Sequence, residues 1–244
     1  MPKYFINEPS DKAEGQLLQL EGDTAYHLIK VLRVRIGEEV ILCDGKETDY
    51  YCIVESIDSL TLTCLILSKH QCETEPKCKI SLFQAMPKAD KFEWVIQKSI
   101  ELGVYEIIPI YTDHSIKKNA NVERFQKIAE SAAGQSMRGI IPKVHYPTSW
   151  EGVKYQTKFK YSIVAHEKED LKTIKSVMNS PLKNNKLQDQ VALWIGPEGG
   201  FSKNEITLME EYEFQLVTLG PRILRSETAA IAAIAKILME TEGT

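Results

Sequence analysis

Apolar and polar positions along the chain change rhythm once, near residue 75. Before it, apolar runs at 39–43, 50–54 and 60–67 are short, β-branched and broken by turn signals. Asp44-Gly45 is a hairpin dipeptide between two of them. One helical stretch, 24–34, interrupts the β pattern. This predicts a small barrel-like β domain over residues 1–72 rather than a βαβ unit, with 71–76 as linker. After residue 77, apolar runs at 79–85, 104–110, 160–165, 191–195 and 214–219 alternate with helical stretches. That alternation predicts an α/β domain over 73–244 with a mainly parallel sheet.

The helices carry their own signals. The first starts near Asp90, buries Phe92, Val95, Ile96 and Ile100 on one face and stops at Gly103. A second covers about 121–137, and a third follows Glu167. Ser202-Lys203-Asn204-Glu205 is a capping box that opens a fourth. The last follows Ser226, the expected N-cap, and is apolar almost all round, so it is buried in the core or against another subunit.

Two glycine-rich segments follow strands and precede these last helices: W-I-G-P-E-G-G-F-S (194–202) and L-G-P-R-I-L-R-S-E-T-A-A (219–230). Ligands in α/β proteins bind at such strand ends. Neither segment is a Walker A loop or a dinucleotide fingerprint. The first has three glycines where a plain turn needs two. The second places Leu219, Ile223 and Leu224 in a loop expected to be polar. They form either an apolar slot for a flat ring or a loop packed on its own domain. Glu227 sits where it favours the helix dipole or serves the chemistry. Arg138 is either a helix-end cation or a forked anion ligand. His166 and Glu167 fall beyond a strand, on the edge where the glycine loops lie.

Charge and composition narrow the picture. The 244 residues are 43% hydrophobic and 26% charged, with a net charge of −4, which argues against a generic nucleic-acid binder. Residues 77–143 nevertheless hold eleven Lys/Arg against seven Asp/Glu. Such a basic face suits a selectively contacted polyanion or is a solvated surface. The five cysteines are odd in number and lack a C-x-x-C, which predicts free buried thiols and no metal. The N-terminus M-P-K-Y-F-I-N-E lacks a signal peptide's apolar stretch, and the longest apolar run, 229–235, is too short to span a membrane. A cytoplasmic protein is expected.

These residues carry a resemblance. The two glycine segments resemble those of the SPOUT methyltransferases. With H-L-I-K-V-L-R-V-R-I-G (27–37), K-A-D-K-F-E-W-V-I-Q-K-S-I-E-L-G-V (88–104) and Q-S-M-R (135–138), the chain is similar to the 16S rRNA uracil-1498 N3-methyltransferase family along nearly its whole length. The resemblance implies a PUA-like β-barrel for RNA, then a SPOUT-type α/β domain whose C-terminal part is a trefoil knot. It also implies a homodimer that methylates 16S rRNA in small-subunit maturation. S-adenosyl-L-methionine would be held by Gly196, Glu198, Gly199, Gly200, Leu219, Gly220, Ile223, Leu224 and Thr228. Arg225, Arg138 and Glu227 are the catalytic candidates, with His166 a second candidate base. Arg33, Lys88, Lys91 and Arg138 are the candidate RNA contacts. Two other readings stay open: a SPOUT enzyme acting on another rRNA or tRNA base, and a two-module RNA-binding protein without catalysis. Gly134 and Met137 depart from the family's usual residues around Q-S.

Overall fold

The computed structural model describes residues 3–6, 12–87, 89–115, 120–153, 161–179 and 190–242. The candidate RNA contact Lys88, the basic residues Lys117 and Lys118 and the first residue of the 160–165 run lie outside them. The chain forms two units. The first is residues 1–75 together with 133–141; the second is 76–132 together with 142–244. The boundary falls at the expected linker. The return of 133–141 to the first unit is absent from the sequence reading, because only long-range contacts specify it.

In the first unit, β1 (Lys3–Phe5), β3 (Glu39–Cys43), β4 (Thr48–Ile57), β5 (Leu62–Gln71) and β2 (Leu17–Leu20) pair in that order. All pairs are antiparallel except β1 with β3. β4 and β5 shift register twice, at Tyr51/Cys52 and Val54/Ser56. Such irregularities bend a strand and increase twist, which curls the sheet. The helical stretch is shorter than expected: α1 (Gly22–Tyr26) runs into a π-helical turn, His27–Val31. Leu18, Leu28, Leu42, Leu62 and Ile66 fill the core of this unit.

In the second unit the strand order is β12 (Gln215–Val217), β10 (Tyr161–Ala165), β11 (Gln190–Ile195), β6 (Lys79–Ala85), β7 (Glu106–Tyr111) and β8 (Lys143–Val144), and β9 (Thr148–Ser149) also pairs with β7. Every pair is parallel. All the carboxyl ends therefore share one edge. Phe83 and Trp194 stack in the core with ring centroids 4.0 Å apart. The helices are α2 (Ala89–Leu102), α3 (Val122–Gln135), α4 (Trp150–Val153), α5 (Ile174–Met178), α6 (Lys203–Glu211) and α7 (Ser226–Glu242). α7 packs on α2, α5, β11 and β6, which accounts for its apolar circumference. α2 ends at Gly103, whose φ of +108 is open to glycine alone, and an added Cβ would collide with the Pro76 ring.

Candidate functional site

The carboxyl ends of β10, β11 and β12 lead into residues 165–170, 195–203 and 218–226. These three segments, with His114 and Ala229, line one pocket of about 900 Å³. Both glycine segments are therefore walls of the same cavity. Gly196, Glu198, Gly199, Gly200, Leu219, Gly220, Ile223, Leu224 and Arg225 all line it, as does His166. Glu227 and Thr228, one and two residues beyond Ser226 on α7, are not among the lining residues.

The first loop is held from two sides. The Gly200 N–H donates to Pro197 O at 2.9 Å, and Gly200 has φ +68. A Cβ on Gly196 would meet the Phe201 ring at 3.2 Å, closer than most side chains come. His114, beyond β7, places Nδ1 3.0 Å from Gly200 O and 3.1 Å from Gly199 O. Carbonyls only accept, so Nδ1 carries the proton. The capping box forms as expected: Ser202 Oγ accepts from Glu205 N–H, and Glu205 accepts from Ser202 N–H. Glu205 also accepts from Asp113 N–H at 2.9 Å, and Ser202 Oγ donates to Asp113 Oδ2 at 2.5 Å. Nothing local in the sequence marks Asp113 and His114. Their position after a parallel strand is the one signal that would have found them.

The second loop is looser. Gly220 has φ +123 and nothing within 4 Å of an added Cβ. Ile223 is 84% exposed, so its side chain is not packed on its own domain. Lys236 of α7 donates to Leu219 O at 2.9 Å. Ser226 is not an N-cap. Arg225 O accepts the first helical bond, from Ala229 N–H, so Arg225 takes the cap position. The Ser226 hydroxyl instead donates to Gly196 O at 2.6 Å and ties the second loop to the first.

Charge is distributed unevenly around the pocket. Lys91 of α2 lies 3.0 Å from Glu227 and 3.7 Å from Glu198, which occupies a side chain expected to meet RNA. Burial pushes the Glu227 carboxyl up, but its own backbone N–H, Lys91 and Arg225 outweigh that and hold it below the usual carboxylate range. It is ionised at neutral pH. Burial lowers the His166 ring against the opposing pull of Glu167, Glu169 and Glu210, so the imidazole is neutral at pH 7. Glu167, Glu169, Asp170 and Glu198 line the pocket together with Lys168, Lys203, Arg222 and Arg225, so it offers both signs of charge.

Arg138 and Arg33 lie in the first unit. Both guanidinium prongs of Arg138 go to Glu75, Nε to Oε1 at 2.8 Å and Nη2 to Oε2 at 2.7 Å. Its expected roles compete with that pair. Arg33 has φ +56 and stands exposed beyond the π-helical turn, near Lys30 and Arg35 in sequence. Among the described residues no His, Cys, Asp and Glu group of three or more is placed to hold a metal ion. No helix among them is long and apolar enough to cross a membrane.

An RNA methyltransferase domain family matches residues 74–238, and an RNA methyltransferase PUA domain family matches residues 20–67. The chain belongs to the RNA methyltransferase family. Its relatives include the ribosomal RNA small subunit methyltransferase E of Mesomycoplasma hyopneumoniae, 33% identical over 246 residues that cover 98% of this chain and 100% of the relative. A crystal structure of the ribosomal RNA small subunit methyltransferase E of Neisseria gonorrhoeae bound to S-adenosyl methionine has a TM-score of 0.84 at 30% identity, covering 99% of this chain and 98% of that one. A Legionella pneumophila methyltransferase in complex with the same cofactor has a TM-score of 0.82 at 32% identity, covering 96% of each chain. The α/β domain behind a PUA-like domain expected from the sequence is thus present.

Proposed function

We propose that this protein transfers a methyl group from S-adenosyl-L-methionine to N3 of a uridine in 16S ribosomal RNA, the nucleotide being 1498 by family resemblance. The observation that carries the reading is the convergence of both glycine loops on one pocket at the carboxyl edge of a parallel sheet. The pocket's own features fit the donor. Its volume of about 900 Å³ lies in the range of small-molecule sites. Leu219, Ile223 and Leu224 offer apolar surface to an adenine ring. The glycines let backbone come close, and a lining of both carboxylates and cations suits a zwitterionic ligand that carries a sulfonium, an ammonium and a carboxylate. When bound, this donor supplies an electrophilic methyl group on a sulfonium.

The chain supplies the rest. Arg225, on the pocket wall, stabilises the negative charge that develops on the uracil oxygens as N3 loses its proton. His166 takes that proton, a role supported by its position in the pocket lining and its neutral ring. Glu227 is the other candidate base, and it is ionised but engaged by Lys91. Arg138 is assigned to the Glu75 pair rather than to the reaction. In the first unit, exposed Tyr26, Val31 and Ile36 interleave with Lys30, Arg33 and Arg35, a basic and apolar surface suited to RNA. The uracil must be met unpaired or drawn out of its stack. A trefoil knot formed by the segments around the two loops, and a homodimer that covers the half-buried Ile231, Ala232 and Ala235 of α7, complete the proposal.

The test is an Arg225→Ala variant studied by calorimetry with S-adenosylmethionine and by single-turnover methyl transfer to small-subunit RNA. Donor affinity stays within about threefold while transfer falls about a hundredfold or more. Unchanged transfer removes Arg225 from the reaction.

A further inference from the structure

Gln84, at the carboxyl end of β6, is completely buried (0% exposed) and is not among the residues that line the pocket. Its Nε2 lies 3.0 Å from Ala85 O and 2.9 Å from Ser226 Oγ. Ser226 Oγ lies 2.6 Å from Gly196 O. The protons in this chain have one arrangement. Gly196 O only accepts, so the Ser226 hydroxyl donates to it. The Ser226 oxygen must then accept, and Gln84 must present its NH₂ group. Ala85 O also only accepts, which demands the same amide orientation. The polarity agrees from both ends, and it joins β6, the first glycine loop and the start of α7.

We infer that Gln84 is a positioning residue for the donor pocket. Acting through the Ser226 hydroxyl, it fixes the spacing of the two glycine loops and thereby sets the affinity for the donor. The inference rests on reading this pocket as the S-adenosylmethionine site. Gly196 and Ser226 line the pocket from opposite loops, and their bond ties the two loops directly. A hydroxyl without a buried donor behind it can rotate to other partners. With Gln84 in place it has one orientation. The relay resembles the outer shell of a metal site, where a buried partner orients the group that meets the ligand.

The test compares wild type with Gln84→Met, Gln84→Glu, Ser226→Ala and the Gln84→Met/Ser226→Ala double variant. Calorimetry gives the affinity for S-adenosylmethionine and for S-adenosylhomocysteine. Amide hydrogen exchange without ligand follows residues 199–202 and 226–229. Gln84→Met and Ser226→Ala each weaken donor binding about tenfold. The double variant is no weaker than the worse single one, because both act on one chain of bonds. The loss falls on donor KM, and kcat recovers at saturating donor. Gln84→Glu keeps the shape but reverses the polarity, and it binds no better than Gln84→Met at neutral pH. Exchange in both loops speeds up in each variant. Donor affinity within about twofold of wild type in Gln84→Met or in Ser226→Ala, or fully additive losses, overturns the inference. Failure of the wild type itself to bind donor overturns the pocket reading instead, and the exchange measurement still decides whether Gln84 couples the loops.

Discussion

The Arg138–Glu75 pair makes the most quantitative prediction about this chain. The Arg138 side chain is 3% exposed and that of Glu75 is 13% exposed. Glu75 accepts two bonds from the guanidinium and a third from Gly139 N–H at 2.7 Å. Glu75→Ala removes the carboxylate that a buried guanidinium holds with two hydrogen bonds. Breaking such a pair from one side costs about 3–5 kcal/mol. The double variant Glu75→Leu/Arg138→Met removes both charges and recovers most of that loss, because an apolar pair of similar volume bears no desolvation cost. Arg138→Lys does not rescue, since an ammonium cannot match the fork. The assay must report on the right unit. Trp94, Trp150 and Trp194 all lie in the second unit, so their fluorescence is uninformative here. Hydrogen exchange of the slowest amides in β3, β4 and β5 is the appropriate measure. At about 1.4 kcal/mol per tenfold, Glu75→Ala speeds their exchange by about two to three and a half orders of magnitude. A change below about tenfold, or a double variant as damaged as the single one, refutes the reasoning.

Two further predictions concern strain and thiol chemistry. Gly220→Ala meets no atom within 4 Å, so its cost is that of a Cβ at φ +123, about 1–3 kcal/mol. It appears as weaker donor binding by calorimetry, and affinity equal to wild type shows that the loop can relax into another conformation. All five cysteines are free and buried. Burial pushes Cys43 and Cys52 up to about 12 and Cys64 up to about 11, so these three remain thiols at mildly alkaline pH and resist iodoacetamide until the chain is unfolded. Mass spectrometry after alkylation of native protein reads this out, and prompt labelling of Cys52 contradicts it.

Features encoded locally were legible in the sequence. The runs at 39–43 and 79–85 are β3 and β6 to the residue, and α2 spans 89–102 where its apolar face predicts it. The Ser202 box forms because its two bonds involve neighbours three residues apart. Both glycine loops lie at strand ends because a parallel sheet aligns those ends. Features that depend on distant partners were not legible. β1 and β2 are too short to give a period. Residues 133–141 join the first unit through Glu75, Glu47, Cys72 and Lys3, up to 134 positions away. Ser226 looked like a cap, yet its hydroxyl answers to Gly196, 30 residues earlier. Lys91, a candidate RNA contact from the resemblance, is engaged by Glu227 and Glu198, which lie far from it in sequence. Gln84 and His114 carry no local motif at all. Both matter because of where the sheet brings them.

The central claim is that the two glycine loops hold a methyl donor for N3 of a uridine. The direct measurement incubates purified protein with S-adenosylmethionine and small-subunit particles lacking the modification, followed by nucleoside mass spectrometry of the recovered 16S RNA. One new 3-methyluridine is expected, mapped to a single nucleotide and absent when Arg225→Ala replaces the wild type. A methyl group on another base, or donor binding with no transfer to any ribosomal RNA, contradicts it.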